Sequence, residues 1–173
     1  MILNKSLIKI VRGDLTLIEV EAVVNAANKS LLGGGGVDGA IHFAAGRELL
    51  EECLLLGGCE VGKAKITKGY NLPAKFIIHT VGPVYGYEAG HEAELLAACY
   101  LNSLLIARDN SIRTIAFPCI STGAFRFPKD EAAKIAIKAA KDFYRDYPGA
   151  IDEIVFVVND ELNLKIYLDN LNN

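Results

Sequence analysis

No stretch of this 173-residue sequence is apolar for the roughly 20 residues that a membrane-spanning helix needs, so no segment reads as a span. Positive charge is also short. Lys and Arg number 18 against 21 Asp and Glu, a formal net charge of −3. That balance lacks the basic face of a non-specific nucleic-acid binder and argues against a nucleic-acid partner. It also offers no Lys/Arg block for an anionic membrane surface. The four cysteines, Cys53, Cys59, Cys99 and Cys119, form no C-x-x-C pair. Zinc and thioredoxin-like readings therefore have little support, and the cysteines read as small buried hydrophobes. The three histidines, His42, His79 and His91, show no H-E-x-x-H spacing, and no pattern argues for a metal site. The opening "MILNKSLIKIVRGD" lacks the basic start and long apolar middle of a signal peptide, so a cytoplasmic protein is expected.

What is present is the composition of a folded protein, 51% hydrophobic and 23% charged, in a length that suits a single domain over residues 1–173. "SLIKIVRGD" alternates as a strand, with Leu7, Lys9 and Val11 against Ile8 and Ile10. "VEAVVNAA", "AKITKGYNLPAK", "KFIIHTVGP", "RTIAFPCI" and "DEIVFVV" read as further strands, the second closed by a turn at Asn71 to Pro73 and the third stopped by Gly82-Pro83. "VDGAIHFAAG" and "RELLEECLLLGG" read as helices. A long helix is predicted from Glu92 to Asp109 with an apolar stripe through Leu95, Leu96, Cys99 and Ile106. Another opens with Pro128 as its first residue and carries Ala132, Ile135, Ala136, Ala139 and Phe143 at helical spacing. "LNLKIYLDNL" closes the chain as a helix. Alternating strands and helices indicate an α/β sheet covered on both faces. Such sheets bind ligands beyond the carboxyl ends of their strands, at a topological switch point.

Two loops fit that position. "NAANKSLLGGGGVDGAIH", Asn25 to His42, sets four glycines, Gly33 to Gly36, before a helix. Glycine loses more backbone entropy on ordering than any other residue, so such a run points to close approach of the backbone to a ligand. A phosphate-binding P-loop would continue Gly-Lys-Ser/Thr, whereas Val37 and Asp38 follow here. Gly34, Gly36 and Gly39 satisfy G-x-G-x-x-G, but eight residues separate Gly33 from Val24, which makes this a weak Rossmann match. The second loop is "STGAFRF" from Ser121, and "CISTG" at its start resembles a nucleophile elbow, with Cys119 in place of the first glycine and no identifiable partner for Ser121. Ser121, Thr122 and Gly123 offer successive backbone N–H groups and two hydroxyls. Side by side, the two loops could hold a diphosphate with few basic residues. The amides of Asn25 and Asn28 suit vicinal ribose hydroxyls, although Asn25 also reads as bonding the backbone of its own turn. Asp38 reads either as a reactive carboxylate or as a favourable charge in the first helical turn.

These residues resemble the macrodomain family, in its MacroD-type branch. The matching stretches are "GDLT" at Gly13 to Thr16, "VVNAANKSLLGGGGVDGAIH" at Val23 to His42, "GYNLPAKFIIHTVGP" at Gly69 to Pro83 and "PCISTGAFRFPKDEAA" at Pro118 to Ala133. The resemblance implies a three-layer α/β/α sandwich with a mixed, about six-stranded sheet and a cleft for ADP-ribose. It implies hydrolysis of mono-ADP-ribose from acidic side chains of modified proteins and deacetylation of O-acetyl-ADP-ribose, with no cofactor and no metal, by a protein expected to be a monomer. A non-catalytic ADP-ribose reader is the alternative. By motif, Asp14, with Leu15 beside it, would take the adenine, Asp14 accepting its exocyclic amine. Asn28 would hold the distal ribose, with Gly35, Gly36 and Val37 along the diphosphate and that ribose. Ser121, Thr122, Gly123, Ala124 and Phe125 would wrap the diphosphate. Asp38 would orient or deprotonate the attacking water, and Asn25 would brace the loop. The chain departs from the family pattern in Ala124-Phe125-Arg126, where Ile-Tyr-Gly is frequent, and in Phe43, where Arg is common. It departs again in Asn159, at a position that often carries an aromatic residue for adenine stacking.

Overall fold

Short apolar segments pair into one six-stranded sheet in the computed structural model, which describes residues 7–173. The part of the N-terminal reading that falls on Met1 to Ser6 lies outside the described residues. The strands are β1 (Leu7–Arg12), β2 (Ala22–Ala27), β3 (Ala64–Lys68), β4 (Phe76–Val81), β5 (Thr114–Phe117) and β6 (Glu153–Val158). Their order is β1-β6-β5-β2-β4-β3, and every neighbouring pair is parallel except β3 with β4. The inner strands read as near-continuous apolar runs because both of their faces are covered. Alternation sorts their side chains: Val23, Ile77, Ala116 and Val155 enter one core, and Val24, Ile78, Ile115 and Phe156 enter the other.

Helices α1 (Gly36–Ala45) and α2 (Arg47–Leu56) cover the first face through Ile41, Ala45, Leu49 and Cys53. Helices α3 (Glu92–Asp109), α4 (Lys129–Asp146) and α5 (Glu161–Leu171) cover the second. There Tyr100, Phe117, Phe156 and Tyr167 form a ring stack with successive centroids 5.1, 5.8 and 5.4 Å apart. Such pairs contribute about 0.5–1.5 kcal/mol each beyond their buried area. Three details differ from the sequence reading. The buried face of α3 runs through Leu96, Cys99, Tyr100, Ser103, Leu104 and Ala107, and Leu95 and Ile106 only flank it. In α4 the buried face includes Ala133, Ile137 and Ala140, because this helix packs against α3 and α5 and shares one core cluster with Ile154 and Phe156 of the sheet. Pro128 keeps an extended ψ of 127° and stands as the N-cap, so α4 begins at Lys129.

The connectivity places the site. From β2 the chain travels through α1, α2 and β3 to β4, on one side of the sheet. From the adjacent β5 it travels through α4 to β6, in the other direction. The carboxyl ends of β2 and β5 therefore flank a topological switch point, and the two predicted loops leave from those ends.

Candidate active site

A cleft of about 870 Å³ opens at that point, and every parallel strand delivers a loop to it. Gly13 to Thr16 follow β1, Asn28 and Gly34 to Asp38 follow β2, and Gly82 follows β4. Pro118 to Phe125 follow β5, and Asn159, Asp160 and Asn163 follow β6. Of the residues singled out from the sequence, Asp14, Leu15, Asn28, Gly35, Gly36, Val37, Asp38, Ser121, Thr122, Gly123, Ala124, Phe125 and Asn159 all line it. Asn25 does not. It is fully buried one layer below, on β2.

The two asparagines exchange the parts that the residues alone suggested. Asn25 makes no bond to its own turn. Its Nδ2 donates to Asp38 Oδ1 at 2.9 Å and lies 3.1 Å from His79 Nδ1. Asn28 is the residue that ties down its own loop. Its Oδ1 accepts from Ser30 Oγ at 2.7 Å and from the Leu31 N–H at 3.2 Å, and its Nδ2 donates to the Gly33 carbonyl at 2.8 Å. One amide hydrogen of Asn28 remains for a ligand, since its NH2 carries two. The difference follows from strand register. Asn25 is inside β2, where its backbone is committed to the ladder, while Asn28 lies just past the strand end.

Asp38 sits in the first turn of α1 and is only 4% exposed. A buried carboxylate is costly without hydrogen bonds. Asn25 supplies one to Oδ1, and His42 Nε2 stands 3.5 Å from the same oxygen without bonding it. The glycine run explains how Asp38 comes to face the cleft. A Cβ on Gly34 would stand 3.2 Å from Asp38 Oδ2 and 3.3 Å from Asn28 Nδ2, so those two groups converge over a residue with no side chain. Gly36 opens α1 at φ +57°, a conformation that L residues rarely hold.

Across the cleft, the backbone N–H groups of Ser121, Gly123, Ala124 and Phe125 make no hydrogen bond among the described residues, while Thr122 closes the turn that begins at Cys119. The turn is held from outside: the Phe127 N–H donates to the Ser121 carbonyl at 2.9 Å, and the Tyr85 N–H to the Phe125 carbonyl at 2.8 Å. Ser121 is buried at φ +67° with its Oγ unpartnered. Facing it are the first-turn N–H groups of α1, which have no intrahelical acceptor, and the positive end of that helix dipole. Two rows of free donors across one gap make an anion cradle that needs little side-chain charge. Lys129 is the one basic side chain lining the cleft among the described residues. Sequence reasoning missed it, and the only available signal was its place at the start of α4.

At the far end of the cleft, Asp14 caps a short 3-10 turn, Leu15–Leu17. Its Oδ1 accepts from Thr16 Oγ1 at 2.7 Å and Thr16 N at 2.8 Å. Those bonds hold its carboxyl below the usual carboxylate range. Oδ2 is left for a ligand. Asn159 is exposed at the end of β6, and it does not cap α5. Asp160 is the cap, accepting from the Asn163 N–H at 2.7 Å. Phe43 is 92% exposed on α1, outside the cleft lining, and Arg126 is exposed at φ +62°. Cys53, Cys59 and Cys99 are buried and Cys119 is half-buried. Among the described residues, no group of three or more His, Cys, Asp or Glu side chains is arranged to hold a metal ion. No described helix is long and apolar enough to cross a membrane.

The family model of the Macro domain matches residues 24–136. ADP-ribose glycohydrolase MACROD2 of Xenopus laevis is 54% identical over 162 residues, 93% of this chain and 39% of that protein. The chain thus spans about two fifths of the length of the MACROD2 relatives it matches. Macro domain-containing protein CT2219 of Chlorobaculum tepidum is 55% identical over 161 residues, 93% of each chain. Among solved structures, a mutant Oceanobacillus iheyensis macrodomain with ADPR superposes with a TM-score of 0.91 at 41% identity, covering 94% of this chain and 90% of that one.

Proposed function

The chain belongs to the Macro domain family, and from that premise we propose that its cleft binds ADP-ribose and hydrolyses it from acidic side chains of modified proteins. The observation that carries the catalytic half of this reading is Asp38: a buried carboxylate, oriented from behind by Asn25, that lines the cleft opposite the free N–H groups of Ser121, Gly123, Ala124 and Phe125. Relatives named as ADP-ribose glycohydrolases and neighbours solved with ADPR or ADP-ribose support the choice of ligand.

In this reading the diphosphate lies between the α1 N-terminus and the Ser121 loop. Asn28 meets the distal ribose and Asp14 meets the adenine edge. Water adds to C1″ of the distal ribose as the bond from C1″ to the carboxylate oxygen of the modified side chain breaks. The bonding pair leaves with the carboxylate, and the water gives a proton to Asp38 or to a substrate phosphate oxygen. A carboxylate leaves readily, so a positioned water and a modest base suffice. The backbone donors are already fixed and stabilise charge without reorganising. The same water, turned on the ester carbonyl of O-acetyl-ADP-ribose, accounts for a deacetylase activity in the same cleft.

Asp38→Ala decides between hydrolase and reader. The folded variant should keep most of its ADP-ribose affinity by calorimetry and lose about 10²–10⁴ in turnover of a Glu-linked ADP-ribosylated protein, the usual range for a group that positions or deprotonates water. Near wild-type turnover would remove Asp38 from the reaction. A wild-type protein that binds ADP-ribose but releases none from the substrate would establish the reader.

A further inference from the structure

Asn25 Nδ2 faces two groups at once, Asp38 Oδ1 at 2.9 Å and His79 Nδ1 at 3.1 Å. A carboxylate oxygen accepts, so the amide presents its NH2 edge to Asp38. For the same nitrogen to serve His79, Nδ1 must accept as well, which leaves the ring proton on Nε2. Nε2 lies 2.9 Å from Thr67 Oγ1. Thr67 Oγ1 gives its single hydrogen to the Lys68 carbonyl at 3.1 Å, so toward His79 it accepts. A carbonyl has no hydrogen to offer. The polarity of the whole chain is therefore set at its β3 end, and it runs through β4 and β2 to the first turn of α1.

We propose that His79 is a positioning residue for the hydrolysis: its Nε2–H tautomer, imposed by Thr67, orients the Asn25 amide, and that amide holds Asp38 in the rotamer that serves the cleft. This rests on the role given to Asp38 above. The opposite tautomer would place a hydrogen on Nδ1 and call for an acceptor there. The amide would rotate and set an oxygen against the Asp38 carboxylate, which would turn away. His79 itself moves no proton. It is fully buried on β4, and desolvation first, then the neighbouring His42, pushes its pKa down to about 3, so the ring stays neutral. His42 shares the face of the carboxylate, but its Nε2 makes no hydrogen bond. Among the described residues Asn25 is the one side chain hydrogen-bonded to Asp38. Cys53 Sγ lies 4.0 Å from Nε2 and, in this tautomer, is a second, weaker acceptor beside Thr67 Oγ1.

Two substitutions separate the ring's two nitrogens. In His79→Asn the amide oxygen stands at the place of Nδ1 and still accepts from Asn25. In His79→Gln the amide reaches toward Thr67, and a methylene faces Asn25. His79→Gln should lose about 10²-fold in single-turnover rate, the scale for a reacting group misplaced by an ångström. ADP-ribose affinity should be unchanged by calorimetry, and His79→Asn should recover most of the lost rate. Nitrogen-15 spectra of the wild-type imidazole should show Nε2 protonated and Nδ1 bare across the working pH range, a readout that needs no variant to fold. Equal rates in the two variants, or a protonated Nδ1, would overturn the proposal. Asp38→Ala run alongside separates the two readings. If it turns over normally, the role of Asp38 fails. If it is inactive while His79→Gln is fully active, only the part given to His79 fails.

Discussion

Asn159→Phe should tighten ADP-ribose binding by about 1–2 kcal/mol, a factor of about 5–30. Asn159 is exposed in the cleft at the end of β6. The neighbouring strand β1 delivers Asp14 to the same end, and the Gly13 N–H donates to the Val158 carbonyl at 3.0 Å. A base whose amine meets Asp14 would lie across Asn159. A ring stacked on a base is worth about 1–3 kcal/mol by alanine substitution, and the flat amide already supplies a share of that. The substitution removes no helix cap, because Asp160 holds that role for α5. An exposed site should also change stability by no more than about 0.5 kcal/mol. Calorimetry with ADP-ribose measures the gain, and ribose-5-phosphate, which has no adenine, should show none. Unchanged or weaker ADP-ribose binding by the folded variant, or an equal gain for ribose-5-phosphate, would refute the placement of adenine between Asp14 and Asn159.

Gly36→Val should weaken ADP-ribose binding and lower the melting temperature. A branched residue at φ +57° is strained by about 1–2 kcal/mol, and its methyl groups enter the cleft. Normal binding by calorimetry would place the cradle elsewhere. Turnover should survive EDTA, and activity lost to the chelator and restored by one divalent ion would contradict the metal-free mechanism. Acid should destabilise the fold in a defined direction. Thr16 holds Asp14, Asn170 and Lys134 hold Asp130, and Lys138 holds Asp142 below the ordinary carboxylate range. Their contribution is present above the unfolded-state value of about 4 and is lost as pH falls through the lower folded values. A melting temperature that rises on acidification below pH ~4 would refute it.

The layer order of this fold is written in local signals. Short continuous apolar runs such as "KFIIHTVGP" and "DEIVFVV" specify buried strands wherever they fall, and all six expected strands formed. Helix existence was legible for the same reason. The width of a helix's buried face was not, because it depends on neighbours: α4 buries Ala133 and Ile137 against elements distant in sequence. The glycine run and the Ser121 loop could be recognised as cleft-facing because backbone chemistry is local. Free N–H groups and positive φ belong to the residues that carry them.

The wiring behind the site was decided elsewhere. Asn25 and Asn28 have the same side chain three residues apart, and the sequence alone left own-turn bonding open for both while favouring it for Asn25. Which amide reaches Asp38 depends on the parallel register of β2 with β4, which sets Asn25 beside His79. Thr67 joins them only because β3 returns antiparallel beside β4. Nothing within a few residues of Thr67, His79 or Asp38 announces the others, since their separations of 12 to 41 positions are closed by strand pairing. Sequence determined which chemical groups the loops would offer. Pairing across the sheet decided which of them would be buried together, and so which carboxylate would be held in place.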